Sequence, residues 1–277
     1  MWQPEARPHD AAAATSRRGA RLPPNARVDA PAPLAPMRSP DIVELRRYTV
    51  HRGRRDALID LFERRFVESQ EACGMHLLGQ FRDLDDDDRF VWLRGFTDMD
   101  SRAQALARFY GGPVWQAHRA AANATMIDSD DVLLLRPLLA GSGLAATPRR
   151  AGSGEPARAA GLVTAMTWPL SEPVDAALAA ALARSLLPAL RESGARVLAS
   201  YTSEYARNTF PALPVREGEH VLVCLCAFAD AHHHAAHFAR LRHQPGWRAA
   251  ASMLEPRSRG AVQMLRLAPT PRSSLRG

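Results

Sequence analysis

The sequence contains no lysine: all 36 basic residues among its 277 are arginine. This preference, together with abundant alanine and proline, indicates a GC-rich coding bias rather than selection for a basic surface. The arginines are also spread along the chain, whereas a nucleic-acid-binding protein concentrates basic residues on one face with aromatic residues between them. Despite the net charge of +7, we therefore predict no nucleic-acid partner.

Cysteine is scarce, with Cys73, Cys224 and Cys226 in the chain and no C-x-x-C motif. This excludes a disulfide framework and a zinc site built on paired cysteines, and it favours a reducing, cytoplasmic location. No apolar run reaches the roughly 20 residues that cross a bilayer, so we expect no membrane span. The sequence also lacks a G-x-S-x-G motif, a P-loop and a dinucleotide-binding fingerprint.

The beginning of the chain is rich in alanine, proline and arginine and has no periodicity. We predict that residues 1–40 form a disordered extension. The segment is arginine-rich and poor in acidic residues, like a transit peptide, but it lacks the apolar core of a secretory signal. Met37, directly before the first predicted strand, is an alternative start of translation.

The rest of the chain is long enough for two domains, and hydrophobic periodicity predicts the same order of elements twice. The first unit has predicted strands at 42–50, 75–81, 89–96 and 131–137 and helices at 55–73, 98–110 and 114–125. The second has predicted strands at 161–168, 196–202, 220–228 and 261–269, a helix at 174–193 and another that starts at Asp230. The order β-α-β-β-α-β is the ferredoxin-like pattern.

The repeat is visible at single positions. Seven residue pairs occupy matching places: Phe96 and Phe228, Asp98 and Asp230, Pro113 and Pro245, and Trp115 and Trp247 are 132 residues apart, whereas Gly74 and Gly194, Leu78 and Leu198, and Phe81 and Tyr201 are 120 apart. The difference of 12 residues falls in the loop between the second and third strands, as an insertion in one copy of a duplicated domain would. We predict a first domain at 41–138, a linker at 139–160, a divergent second domain at 161–268 and a tail at 269–277.

A four-stranded sheet with both helices on one face leaves its other face apolar and bare. Two such sheets in one chain can cover each other, so the expected architecture is α+β, a barrel-like intramolecular pseudo-dimer. Association into a homo-oligomer is the alternative way to cover the same faces.

The motifs "GQFRDLDD", "FVWLRGF" and "FYGGPVWQAHR" resemble the NIPSNAP family of the dimeric α/β-barrel superfamily. The resemblance is strong over about residues 41–138 and weaker over about 161–268. It implies a ferredoxin-like barrel within a superfamily that includes cofactor-independent monooxygenases and haem-binding proteins, but it implies no particular reaction. The mitochondrial associations of animal members do not carry over to a lysine-free chain whose composition resembles that of bacterial proteins.

His118 is the candidate catalytic residue. It lies three residues after Trp115 and shares a helix face with it, where it could act as a general base or ligate haem iron; we expect no cofactor otherwise. A structural histidine bonded to the backbone is the alternative. The repeat places Ala250 at the position of His118, so the histidine belongs to the first half alone, whereas Trp115 recurs as Trp247 and is predicted to be core.

Polar and aromatic residues alternate along the strands of the first half, and Glu44, Arg46 and Tyr48 share one face. Facing into a barrel, such residues would line a cavity that holds a small aromatic or anionic molecule, with Arg46 or Arg94 as the charge anchor; a solvated strand edge is the alternative. The predicted ligand-binding residues are Arg46, Tyr48, Trp92, Arg94, Tyr110, Arg119 and Asn123.

Three clusters that suggest metals are better explained otherwise. In "HHHAAH", His233 and His237 are four residues apart, but the glutamate of a zinc-peptidase helix is missing, so we predict a solvated helix face. "DLDDDD" fails the calcium-loop pattern and is predicted to be a hairpin turn. Cys224 and Cys226 alternate on a strand and are predicted to be buried. We expect no metal site.

The sequence thus predicts a protein that binds or converts a small molecule in its first half, with oxygenase-like chemistry by analogy if it is an enzyme. A non-catalytic binding or oligomerisation module is the alternative.

Overall fold

A computed structural model describes residues 39–145 and 161–276. Of the predicted disordered extension, residues 1–38 lie outside these ranges, and of the predicted linker, residues 146–160 do. Within them, every strand predicted from the sequence is present, and the bounds differ by a few residues.

The first half contains four strands and two helical regions that follow the predicted order. Its elements are β1 (Ile42–Val50), α1 (Arg55–Leu61), a π-helical turn (Phe62–Phe66), α2 (Val67–Ala72), β2 (His76–Asp83), β3 (Arg89–Phe96), α3 (Met99–Tyr110), α4 (Pro113–Asn123) and β4 (Met126–Pro137). Asp98 caps α3, since its side chain accepts a hydrogen bond from the Ser101 amide. Gly74 ends the first helical segment with a φ of +93°, a left-handed conformation that favours glycine.

The second half repeats this order. Its elements are β5 (Leu162–Leu170), α5 (Ala176–Glu192), β6 (Arg196–Ser203), β7 (His220–Phe228), α6 (Ala231–Leu241), α7 (Pro245–Leu254) and β8 (Gln263–Pro269). Asp230 caps α6 as Asp98 caps α3, with its carboxylate accepting from the His233 amide. Gly194, with a φ of +99°, is the counterpart of Gly74.

The eight strands form one closed barrel in the order β1-β3-β2-β8-β5-β7-β6-β4. Each half contributes an antiparallel ferredoxin-like sheet. The halves join at two short seams of three residue pairs each, one between β2 and β8 and one between β4 and β6. The barrel therefore closes within a single chain, as predicted for a pseudo-dimer.

The strand registers reproduce the repeat found in the sequence. Arg46 pairs with Trp92 in the first half, and Met166 pairs with Cys224 at the matching place in the second. Even an irregularity recurs, since the register of β2 shifts between Leu77 and Gly79 and that of β6 shifts at the matching residues. The offsets of 120 and 132 residues thus relate equivalent positions in space.

The interior of the barrel is filled with apolar side chains from all eight strands. Its buried members include Val43, Leu45, Val91, Leu93, Leu133, Val163, Leu225 and Leu267. The other face of each sheet is covered by the helices of the same half. In the second half this helix–sheet layer is a large apolar cluster built on Leu182, Leu186 and Leu190 of α5.

The described part of the predicted C-terminal tail, residues 269–276, is packed against the first half. Thr270, Arg272 and Ser273 are buried, and the Ser273 hydroxyl accepts a hydrogen bond from the Gln80 amide of β2. The Arg272 amide donates to the Glu63 carboxylate at 2.8 Å. The segment after β8 therefore packs against β2 and against the helical segment that holds Glu63.

Candidate functional site

The first half buries a cluster of four charged residues between its sheet and its helices. Glu44 on β1 accepts hydrogen bonds from Arg46 Nη1 at 2.6 Å and Arg94 Nε at 2.8 Å through Oε2, and from Arg102 Nε at 2.6 Å through Oε1. All four residues have 0% exposure. One carboxylate thus holds three guanidinium groups, and the cluster carries a surplus of positive charge. We call it the arginine cluster.

The titration of Glu44 reflects this environment. Burial alone would raise its pKa, but the charges of Arg94, Arg46 and Arg102 outweigh burial and hold the pKa well below its ordinary value. Burial raises the pKa of Tyr48, whose hydroxyl accepts from Arg46 Nε at 3.0 Å. At neutral pH the glutamate is therefore ionised and the tyrosine is neutral, and the positive surplus persists.

Two donors in the arginine cluster are unused. The Nη2 atoms of Arg94 and Arg102 are buried and have no hydrogen-bond partner among the described residues. Arg94 Nη1, by contrast, donates to Gln70 Oε1 at 3.2 Å. A buried guanidinium with spare N–H groups favours an anionic acceptor, so the arrangement has the donors and the charge of an anion site.

Aromatic rings surround the arginine cluster. The Arg94 guanidinium lies 5.0 Å from the Trp92 ring centroid, and that of Arg46 lies 5.4 Å from the ring centroids of Tyr48 and Trp92. Arg94 also lies 6.0 Å from the Tyr110 ring. These cation–π contacts help hold the arginines, and the rings offer flat apolar surface beside the charge.

A π-helical turn interrupts the first helix at this site. Phe62 and Phe66 are its two ends; the Phe62 ring lies 4.8 Å from that of Trp92, and the Phe66 ring lies 5.6 Å from that of Trp115. The turn thus contributes two of the rings that border the cluster. π-Helical turns inside helices are frequent at functional sites, which agrees with this location.

A loop of the second half covers the arginine cluster of the first half. The loop between β6 and β7, where the sequence has its insertion, contacts α3: Arg102 Nη1 donates to Asn208 Oδ1 at 3.0 Å and to Thr209 Oγ1 at 3.2 Å. Phe210 stacks on Tyr110 with a centroid distance of 5.9 Å. We call residues 204–219 the covering loop.

The equivalent layer of the second half has no arginine cluster. The offsets place Thr164 at the position of Glu44, Met166 at that of Arg46, Cys226 at that of Arg94 and His234 at that of Arg102. Three of these, Thr164, Met166 and Cys226, are buried. The charge is therefore a property of the first half and is not required by the fold.

The structure brings together five of the predicted site residues and separates three. Arg46, Tyr48, Trp92, Arg94 and Tyr110 meet around the arginine cluster. His118 on α4 is half-buried, with its ring 6.4 Å from that of Phe66. Arg119 and Asn123 on the same helix are exposed.

The surroundings of these residues differ from the predicted ones. The sequence predicts a cavity inside the barrel or a solvated edge for Arg46, Tyr48, Trp92 and Arg94, but these four residues lie under the helices on the outer face of the sheet and are buried. The physical reason is the alternation along β1: Val43 and Leu45 point into the barrel, so Glu44 and Arg46 must point the other way.

The residues beside His118 do not fit a haem. Phe66, Phe109 and Trp115 pack with ring centroids 5.6 to 5.8 Å apart, which leaves no space for a porphyrin between them. Trp115 is buried, as predicted.

The structure corrects one prediction about the histidine-rich helix α6. His232 and His233 are exposed, but His237 has 0% exposure and packs 5.0 Å from Phe228, so this face is not solvated throughout. Burial lowers the pKa of His237 to about 4. In the described part of the chain, no group of three or more His, Cys, Asp or Glu residues is placed to hold a metal ion.

Other predictions for the metal-like clusters are confirmed. Residues 84–88 form the turn between β2 and β3, and Cys224 and Cys226 are both buried.

Arg102 and the covering loop were not predicted to belong to the site. In the sequence, Arg102 is marked only as an arginine that has no arginine counterpart in the second half, and the covering loop is marked only by the 12-residue insertion.

None of the helices in residues 39–145 and 161–276 combines the length and apolar character needed to cross a bilayer.

No curated protein matches the chain in sequence. Solved structures do match. A proposed monooxygenase from Lactobacillus acidophilus is 12% identical with a TM-score of 0.54, over 86% of this chain and 98% of that one. One from Fusobacterium nucleatum is 11% identical with a TM-score of 0.55, over 87% and 97%.

Matches to shorter proteins cover about one half of the barrel. A NIPSNAP family protein from Agrobacterium tumefaciens is 22% identical with a TM-score of 0.33, over 35% of this chain and 84% of that one. The NIPSNAP family model itself matches residues 43–140, the segment that holds β1 to β4. The chain is therefore similar to the NIPSNAP family over residues 43–140, and this segment forms the charged half of the closed tandem barrel.

Proposed function

We propose that the first half binds a small organic anion, of the aromatic carboxylate type, at the arginine cluster. The observation that carries the proposal is the meeting of three buried arginines on one glutamate, with two N–H-bearing nitrogens left over. A carboxylate would balance charge that is otherwise costly to bury.

The aromatic preference follows from the rings beside the spare donors. Trp92 and Tyr110 both lie within 6.0 Å of the Arg94 guanidinium, so a flat ligand attached to the carboxylate would contact them. Arg46 and Tyr48 form the inner wall of the proposed site. His118, Arg119 and Asn123 on α4 are proposed for its outer rim, toward solvent.

Access to the proposed site requires the covering loop to move, because Asn208, Thr209 and Phe210 contact Arg102 and Tyr110. Residues on this loop are mostly exposed or half-buried, so the loop can open at lower cost than the packed helices. We propose that the ligand enters beneath it.

The test compares benzoate with benzamide, which has a similar shape and no charge. The wild-type protein should be stabilised against heat by benzoate and not by benzamide, since ligand binding to the folded state raises stability. Arg102→Gln should abolish the benzoate effect, and Arg94→Gln is the second variant if the first folds poorly. Arg82→Gln is the matched control, because Arg82 lies on β2 and pairs with the exposed Asp56. An equal response to both compounds would overturn the proposal.

Catalysis is a second candidate function, in which His118 would act from its proposed position at the outer rim. We propose that, if the bound molecule is converted, His118 acts as a general base in cofactor-free, oxygenase-like chemistry. Support comes from the names of the solved structures with this fold, which include a monooxygenase assignment and an anthrone oxidase-like protein of 11% identity. Oxygen uptake with an anthrone, lost in His118→Ala, would support it; uptake unchanged in the variant would remove His118 from the reaction.

A non-catalytic binding module remains the alternative, and it needs no chemistry at His118. Pairing between copies is not needed to complete the sheet, because the barrel closes within one chain. We propose a cytoplasmic, bacterial protein, in keeping with the free thiols of Cys73, Cys224 and Cys226.

A further inference from the structure

The second half contains a pocket that lies apart from the arginine cluster. Its volume is about 210 Å³, and it opens between β5, α7 and the segment that leads to β8. Trp168 of β5 and Trp247 of α7 form its walls, with their ring centroids 6.4 Å apart and their planes inclined by 54°. Leu170 and Leu254 are buried in its lining, and Val262, 45% exposed, lies at its mouth.

The repeat explains why a pocket exists here. Trp168 and Trp247 occupy the positions of Tyr48 and Trp115, whereas the offsets place Ala250 and Ala251 where the first half has His118 and Arg119. On the helix that covers the sheet, Ala250 thus stands in place of the half-buried His118, and Ala251 in place of the exposed Arg119. The second half therefore keeps aromatic walls at this place and has less side-chain volume between them.

The chemistry of the lining is apolar. Glu255 is the charged residue of the lining, and it is exposed. A carboxylate at the rim disfavours an anion, and the two indole rings favour a flat aromatic molecule. A cavity of about 150 Å³ lined by apolar side chains is large enough to hold benzene, so this pocket has room for one substituted ring.

We propose that this pocket, the Trp168–Trp247 pocket, is a second ligand site, which takes a neutral monocyclic aromatic molecule. The site is independent of the arginine cluster, because it rests on different residues and on the opposite preference for charge. One chain then holds two sites of opposite selectivity at equivalent places in its two halves.

The test uses p-cresol as a neutral probe and p-toluate as its anionic counterpart, followed by calorimetric titration and by saturation-transfer NMR. Ala251→Phe puts a ring into the pocket from a half-buried position of α7. Ala249→Phe is the matched control, since Ala249 is an exposed residue of the same helix outside the lining. Ala251→Phe should raise the dissociation constant for p-cresol by about tenfold or more, and Ala249→Phe should leave it unchanged.

The outcomes separate the two sites. Binding of p-cresol that Ala251→Phe weakens, with any p-toluate binding unaffected, supports the proposal. It is overturned if the wild-type protein does not bind p-cresol or if Ala251→Phe binds it as the wild type does. A change in molecular mass by light scattering in Ala251→Phe, without p-cresol binding by the wild type, would assign the pocket to contact between copies and also overturn it. Loss of benzoate binding in Arg102→Gln does not bear on this result.

Discussion

Arg102 Nη1 donates to Asn208 Oδ1 at 3.0 Å, and this bond joins a helix of the first half to the covering loop of the second. Asn208 also organises the loop, because its Oδ1 accepts from the Phe210 amide and its Nδ2 donates to the Leu213 carbonyl. One amide side chain thus both shapes the loop and fixes it over the arginine cluster.

Replacing Asn208 should therefore loosen the covering loop without unfolding the barrel. For Asn208→Ala we expect a loss of about 1.5–3 kcal/mol in the free energy of unfolding, the usual range for hydrogen bonds to a charged group, and faster proteolysis within residues 204–219. Arg207→Ala, at an exposed neighbour, is the control. Equal cleavage rates in the two variants would show that the bond does not hold the loop.

Glu44 is expected to be the residue on which the arginine cluster depends. Glu44→Gln leaves three buried arginines without their anion, so the free energy of unfolding at pH 7 should fall by about 3–5 kcal/mol, as measured by urea denaturation. Thr164 is the equivalent residue of the second half, and its buried hydroxyl has no partner among the described residues. Thr164→Val should be neutral or slightly stabilising.

The effect of Glu44→Gln should also depend on pH. The pKa of Glu44 is lower in the folded protein than its ordinary value of 4.5, so its contribution is complete above that value and is lost as pH falls toward the folded pKa. The difference in stability between wild type and variant should thus shrink below pH 4.5. A difference that stays constant from pH 7 to pH 3 would contradict the ionised, arginine-bound glutamate.

His237 should make the protein sensitive to mild acid. Its pKa is about 4 in the folded state against an ordinary 6.5, so the unfolded chain takes up a proton first and stability falls as pH decreases between these values. The loss should be at most on the order of 3 kcal/mol. His237→Leu should remove this part of the pH dependence, and His232→Leu, at an exposed position of the same helix, should retain it.

The two equivalent tryptophans should differ in their contribution to stability. Trp115 is 8% exposed and packs against Phe66, Phe109 and Tyr110, so Trp115→Ala should cost about 3–5 kcal/mol. Trp247 is half-buried and borders a pocket, so Trp247→Ala removes fewer contacts and should cost clearly less. If urea denaturation showed the same loss in the free energy of unfolding for both variants, Trp247 would be as tightly packed as Trp115 despite the pocket beside it.

The fold followed from the sequence because its signals are local. Asp98 and Asp230 each begin a helix by accepting a hydrogen bond from the amide three residues further along the chain, and Gly74 and Gly194 end helices. The order of the elements could therefore be predicted without tertiary information. The repeat then supplied the pairing of the halves, since two sheets with one bare face each can cover one another.

The location of the site did not follow, because alternation tells which residues share a face but not what covers that face. Glu44 and Arg46 alternate with Val43 and Leu45, and both faces of β1 are buried. Polar residues can occupy the outer face only because one glutamate binds three arginines, and Arg102 comes from α3, far away in sequence. Such a partnership leaves no local pattern.

The closure of the barrel within one chain has a consequence for how its two halves can change. In a symmetric dimer of identical subunits, every substitution occurs in both copies at once, so the two sites must stay alike. Here a substitution occurs once. One half can therefore keep a charged interior while the other has Thr164, Met166 and Cys226 at the same positions, and a single molecule can present two unlike surfaces built on one repeated plan.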